Sequence, residues 1–147
     1  MGSNPQTTTV SKYTFSTDTD ATLPANLPEE SGKGCGAGNA DIAYVNTGRN
    51  PSDPSTVMFK LTYSTDTISS APDIAAAHYT GGGCSNSTAA YFMAGGIPSS
   101  PSTSNIHKIT FATGAYETLN PMSEAQRRGT GTGPRSNDFS SPAPVIC

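Results

Sequence analysis

Lys60-Leu61-Thr62-Tyr63-Ser64-Thr65-Asp66-Thr67 is the stretch that decides the fold, because the chain carries it three times. Lys12-Tyr13-Thr14-Phe15-Ser16-Thr17-Asp18-Thr19 precedes it and Lys108-Ile109-Thr110-Phe111-Ala112-Thr113-Gly114-Ala115 follows it, each displaced by 48 residues. A constant period of this length belongs to repeat architectures, in which one supersecondary unit is stacked on copies of itself. Within each copy apolar and polar residues alternate, the period of a half-buried strand. In the first copy this pairs Tyr13 with Phe15 on the apolar side, against Lys12 and Thr14.

The residues between the copies complete the unit. Apolar residues come in short bursts, Ile42 to Val45, Val57 to Tyr63, Ala89 to Ala94 and Ile106 to Phe111, separated by Gly, Pro, Ser and Asn clusters. That is the pattern of many short strands joined by turns. Gly32 to Gly38 and Gly81 to Gly83 are too rich in glycine for ordinary strands and suit a place where backbones approach closely. Each unit therefore supplies a glycine-rich strand, an aromatic strand, a long loop, the Lys-x-Thr-aromatic strand and a short fourth strand near Ile68 or Tyr116. Four short antiparallel strands in a unit of this length predict an all-β chain built from propeller blades.

Composition narrows the functional classes. Of 147 residues, 33% are hydrophobic and 13% charged, with 15 Gly, 12 Pro and a net charge of −3. A mildly acidic chain with scattered Lys and Arg lacks the electrostatic footprint of a nucleic-acid binder. No apolar run reaches the length of a membrane span. The first residues have neither the basic nor the apolar region of a signal peptide. Three cysteines are present; Cys35 and Cys84 lie almost one repeat apart, which favours two buried thiols at matching places, and Cys147 is the last residue.

Chemistry was sought along the chain. Lys33 in the glycine-rich stretch is followed by a strand rather than by the Ser or Thr and helix of a phosphate loop. His78 and His107 with the cysteines do not make a metal-ligand spacing. Asp18 and Asp66 recur singly, which suits Asx turns better than calcium loops. Asp41, Asp66, Asp73, Glu117 and Glu124 include no pair singled out for glycoside hydrolysis. Asn86-Ser87-Thr88 reads as the turn between a unit's first two strands. The expectation is of no catalytic residues, no cofactor and no metal.

Tyr91-Phe92-Met93-Ala94-Gly95-Gly96, then Ile106 to Phe111, then Tyr116-Glu117-Thr118-Leu119-Asn120-Pro121-Met122, resemble a kelch repeat. Gly95-Gly96 stands for its double glycine, Phe111 for its first aromatic, Tyr116 where Trp is usual, and Arg127 or Arg128 for its basic residue. Lys-x-Thr-Tyr-Ser-Thr-Asp-Thr, with Gly83-Cys84-Ser85-Asn86-Ser87-Thr88-Ala89-Ala90-Tyr91-Phe92-Met93, resembles more narrowly the kelch-like repeats of structural and tail proteins of marine tailed bacteriophages, over residues 9–128. That resemblance implies a virion location and a non-enzymatic structural role in a tail, fibre or decoration. Residues 1–147 then form one domain with full units at about 32–72 and 79–122, partial units at both ends, and residues 137–147 as a possible arm.

About three blades' worth of chain is fewer than a closed propeller uses, so completion by a homo-oligomer or by other virion proteins is expected. The alternative is a host-attachment adhesin on the same scaffold, presenting Asn46, Arg49, Asn50, Ser99, Ser102 and Asn105 from its loops to host-surface glycans. Those loops hold no aromatic platform, which favours the structural role.

Overall fold

The computed structural model describes residues 7–50, 53–77, 81–93, 95–96 and 103–125. Its twelve strands are β1 (Ser11–Thr14), β2 (Thr19–Thr22), β3 (Cys35–Gly38), β4 (Ile42–Asn46), β5 (Arg49–Asn50), β6 (Asp53–Pro54), β7 (Met58–Thr62), β8 (Thr67–Ala71), β9 (Gly82–Ser85), β10 (Ala89–Met93), β11 (Ile106–Thr110) and β12 (Tyr116–Leu119). Among the described residues there is no helix, so the chain is all-β. Every named pair is antiparallel.

Two four-stranded meanders dominate, β3-β4-β7-β8 and β9-β10-β11-β12. The hairpins β1-β2 and β5-β6 are separate two-stranded sheets. The three copies of the opening octapeptide begin three outer hairpins, β1-β2, β7-β8 and β11-β12.

The wording of the repeated motif is turn chemistry. Thr14 faces Thr19 and Thr62 faces Thr67, leaving four-residue loops that end on Asp18 and Asp66. Both aspartates lie in the left-handed region, at φ 53° and 51°, and Gly114 takes that place in the third copy at φ 67°. Aspartate and glycine are among the few residues that accept this conformation, which explains why they interchange there. The flanking threonines clasp the loop: Thr17 and Thr19 hydroxyls stand 2.7 Å apart, and Thr65 and Thr67 hydroxyls 2.8 Å. The aspartates themselves do not make the expected Asx turns, because their carboxylates point away, to Tyr13 and Lys12.

The inner turns repeat as faithfully. Asn39 Oδ1 accepts the N–H groups of Asp41 and Ile42, both at 2.9 Å. Asn86 Oδ1 does the same for Thr88 and Ala89, at 2.9 and 2.8 Å, so Asn86 is the turn residue the sequence predicts. These positions recur after 47 residues rather than 48. The register shows the same offset, since Ala37 faces Tyr44 and Cys84 faces Tyr91. Cys84 is thus the counterpart of Ala37, and Cys35 that of Gly82; the two cysteines are not at matching places. Both thiols are free and half-buried. Burial alone pushes Cys35 up to about 12 and raises Cys84.

The two large sheets bury the core between them. Ala37, Tyr44, Met58 and Ile74 from the first meet Ala90, Phe92 and Ile109 from the second. Complete burial of side chains the size of Phe92, Met58 and Ile109 is worth about 1.5–3 kcal/mol each. Tyr44 stacks on Phe111 with ring centroids 6.1 Å apart. At the inner strands the sheets come into close contact: Gly83 backs onto the Gly36 carbonyl, and the Ser85 hydroxyl donates to Gly38 O at 2.6 Å.

A Cβ at position 83 would lie 2.2 Å from Gly36 O, whereas one at position 36 would find nothing closer than 3.6 Å. Gly83→Ala is therefore expected to lose roughly 1–3 kcal/mol in urea unfolding. Gly36→Ala is expected to be neutral or to gain about 0.4–1 kcal/mol, because alanine costs the unfolded chain less entropy.

Candidate functional site

The repeat register shows what the N-terminal hairpin lacks. β1 and β2 correspond to β7 and β8, but no counterpart of β3 and β4 pairs with the free edge of β1 among the described residues. Beside that edge lies a groove of about 690 Å³, lined by Val10, Leu23, Val45, Phe59, Leu61 and Tyr63 among others. Leu23 is buried there, and Lys12 reaches across to Asp66, its Nζ 2.8 and 3.1 Å from the two carboxylate oxygens. This ion pair ties the hairpin to the turn of the next sheet. Both partners are partly exposed, so it contributes about 0.2–1 kcal/mol. Burial raises the Tyr63 hydroxyl to about 12.

Tyr13 and Phe15 of the same hairpin also line this groove. Tyr13 is 48% and Phe15 65% exposed, their rings edge to face with centroids 5.2 Å apart. Alternation predicts a buried face for these two, and the structure corrects this: nothing among the described residues covers them. Their counterparts in the second large sheet, Ile109 and Phe111, pack against the first sheet. The Tyr13 hydroxyl donates to Asp18, and this bond holds its proton above the usual tyrosine range.

At the far end of the molecule, the outer face of β9-β12 carries Cys84, Tyr91, Met93, Lys108 and Glu117. Tyr91 OH accepts from Asn86 Nδ2 at 3.2 Å. Lys108 Nζ stands 2.5 Å from Glu117 Oε1, and this bond with the glutamate charge raises its pKa. Tyr91 is the counterpart of Tyr44, yet Tyr44 is buried and Tyr91 is not.

The loop residues proposed from sequence fare differently. Asn46 is fully buried; its Nδ2 donates to Val57 O at 3.2 Å and its Oδ1 accepts from Gly48 N–H at 3.0 Å. It shapes the loop from inside and is not available to a partner. Arg49 is half-buried and, with Asn50, forms β5, paired to β6. Asn105 is half-buried, its N–H donating to Thr103 Oγ1 at 3.2 Å. Ser99, Ser102, His78, Cys147 and the arm 137–147 lie outside the described residues. Sequence reasoning missed the groove and the exposed aromatic pair.

Among the described residues no three His, Cys, Asp or Glu side chains gather as a metal site, and no helix is long and apolar enough to cross a membrane. His107 is buried between the sheets, its Nδ1 2.7 Å from Tyr116 OH, with the rings stacked at 5.8 Å. Tyr116 OH also accepts Ala75 N–H at 2.8 Å, pinning the segment after β8 to the second sheet.

No protein-family model and no curated protein matches the chain by sequence. By structure it is similar to YjhT: the TM-score is 0.61 at 14% identity, over 78% of this chain and 44% of YjhT. The chain thus spans less than half the length of that neighbour. The likeness is one of fold.

Desolvation lowers the pKa of His107 in the folded state. Below the unfolded value, about 6.5, the unfolded chain takes up a proton that the folded chain refuses. Stability is therefore expected to fall as pH drops from about 6.5 toward the lowered folded value. Guanidinium melts of wild type and His107→Gln across this range check it; the histidine-dependent part of the slope is absent in the variant.

Proposed function

We propose that the chain is a section of a kelch-like β-propeller and serves as a non-enzymatic structural component of a tailed-phage virion, in the tail, a fibre or an outer decoration. The observation that carries this reading is a pair of faces with no neighbouring sheet among the described residues: the hairpin exposes Tyr13 and Phe15, and the outer face of β9-β12 keeps Tyr91, Met93 and Ile106 half-buried. Such faces suit packing on further sheets. The blade reading is supported by the four-strand meanders, by their close contact at glycine in the inner strands, and by the similarity of fold to YjhT. The virion assignment rests on the phage-like wording of the repeats.

A second reading, a host-glycan adhesin, gains from one observation. Tyr13 and Phe15 provide an aromatic platform beside the groove, where the loops hold none. Aromatic faces and flanking charges such as Lys12 and Asp66 suit a saccharide.

Gold-labelled antibody against this protein is expected to decorate intact particles at one defined structure, with the protein recovered among particle components by mass spectrometry. Absence from purified particles contradicts the virion reading. Selective glycan-array binding that Phe15→Ala abolishes would instead favour the adhesin.

A further inference from the structure

Inside the molecule, two side-chain contacts join neighbouring sheets, one at each junction. The second-strand tyrosine of one unit stacks on the aromatic that ends the third strand of the following unit, as Tyr44 does on Phe111. The motif lysine of one unit pairs with the turn aspartate of the following unit, as Lys12 does with Asp66. The two contacts do not occur together at either internal junction. Among the described residues the hairpin has no second strand to supply a tyrosine to Tyr63, and the turn position that would face Lys60 is Gly114, which has no carboxylate.

Both halves of both contacts are present on the N-terminal hairpin and the outer face of β9-β12. The outer face of β9-β12 offers Tyr91, the counterpart of Tyr44, and Lys108, the counterpart of Lys12. The N-terminal hairpin offers Phe15, the counterpart of Phe111, and Asp18, the counterpart of Asp66, in the same left-handed turn. Position 18 keeps the carboxylate that position 114 lacks. Charge and ring type thus complement each other between two faces of one chain.

We infer that a second copy of this chain seats its N-terminal hairpin on the outer face of β9-β12, head to tail, with Phe15 on Tyr91 and Asp18 beside Lys108. The contact continues the internal stacking register from one copy to the next. Lys108 bridges Glu117 of its own sheet and Asp18 of the incoming copy. Tyr13 packs alongside Phe15, taking the role that Ile109 has at the internal junction. Such an interface is heterologous: each copy uses one face at each end, so association gives rings where the rotation closes and filaments where it does not. It rests on the reading of the chain as an interaction module and names that module's partner.

Sedimentation equilibrium of the full chain over a wide concentration range tests it. The weight-average mass is expected to rise with concentration, and Phe15→Ala and Lys108→Asp each to weaken association about tenfold, with unchanged circular dichroism. Asp18→Lys alone is expected to weaken it as well. Lysine is accepted in a left-handed turn elsewhere in the chain, at Lys33 with φ 60°. A mixture of Lys108→Asp with Asp18→Lys is expected to restore association in alternating order, because the native Asp18 of one variant meets the native Lys108 of the other and the introduced lysine meets the introduced aspartate. A monomer at every concentration, or self-association indifferent to Phe15→Ala and Lys108→Asp, overturns the inference. A monomer that is nonetheless found on particles would leave the virion module standing and remove only the second copy as its partner.

Discussion

Backbone contact between β3 and β9 is the constraint on which the remaining structure depends. Gly83 lies against Gly36 O with no room for a side chain, so the inner strands approach closely at that point. Once they do, the pleat dictates which residues of β4, β7, β10 and β11 face one another. Tyr44 on Phe111 and Met58 with Ile109 are consequences of that spacing. The hydroxyl of Tyr116, held by His107 and by the backbone of Ala75, then locks the outer part of the same junction.

Each of the two large sheets has counterpart residues on its two faces, but their surroundings differ among the described residues. Repeat proteins usually blunt their terminal units with polar caps. Here the N-terminal hairpin keeps an aromatic pair exposed and the outer face of β9-β12 keeps Tyr91, Met93 and Ile106 half-buried. The groove beside β1 lies between that hairpin and Val45, Phe59 and Leu61 of the first large sheet.

Much of the fold was legible in the sequence because the repeat repeats its turns. The 48-residue period, the glycine crowding at the inner strands and the Asn86 turn each follow from residue types with narrow conformational preferences. What was not legible depends on neighbours. Alternation shows that Tyr13 shares a side with alternate residues, but not whether another sheet lies over that side. Asn46 looks like a surface loop residue, yet its amide replaces backbone partners inside the loop, which polarity alone does not disclose. Cys35 and Cys84 seemed equivalent because the inner strands recur after 47 residues and the outer ones after 48, an offset visible only in the strand register.

Continuation of the internal register from copy to copy is tested most directly by isotope-filtered nuclear Overhauser spectroscopy on a mixture of labelled and unlabelled chains. Head-to-tail packing predicts cross-peaks between the Phe15 ring of one copy and the Tyr91 ring of another, alongside the intramolecular Tyr44–Phe111 peaks. Spectra with the Tyr44–Phe111 contact and no intermolecular Phe15–Tyr91 contact, at concentrations where the protein is associated, would contradict it.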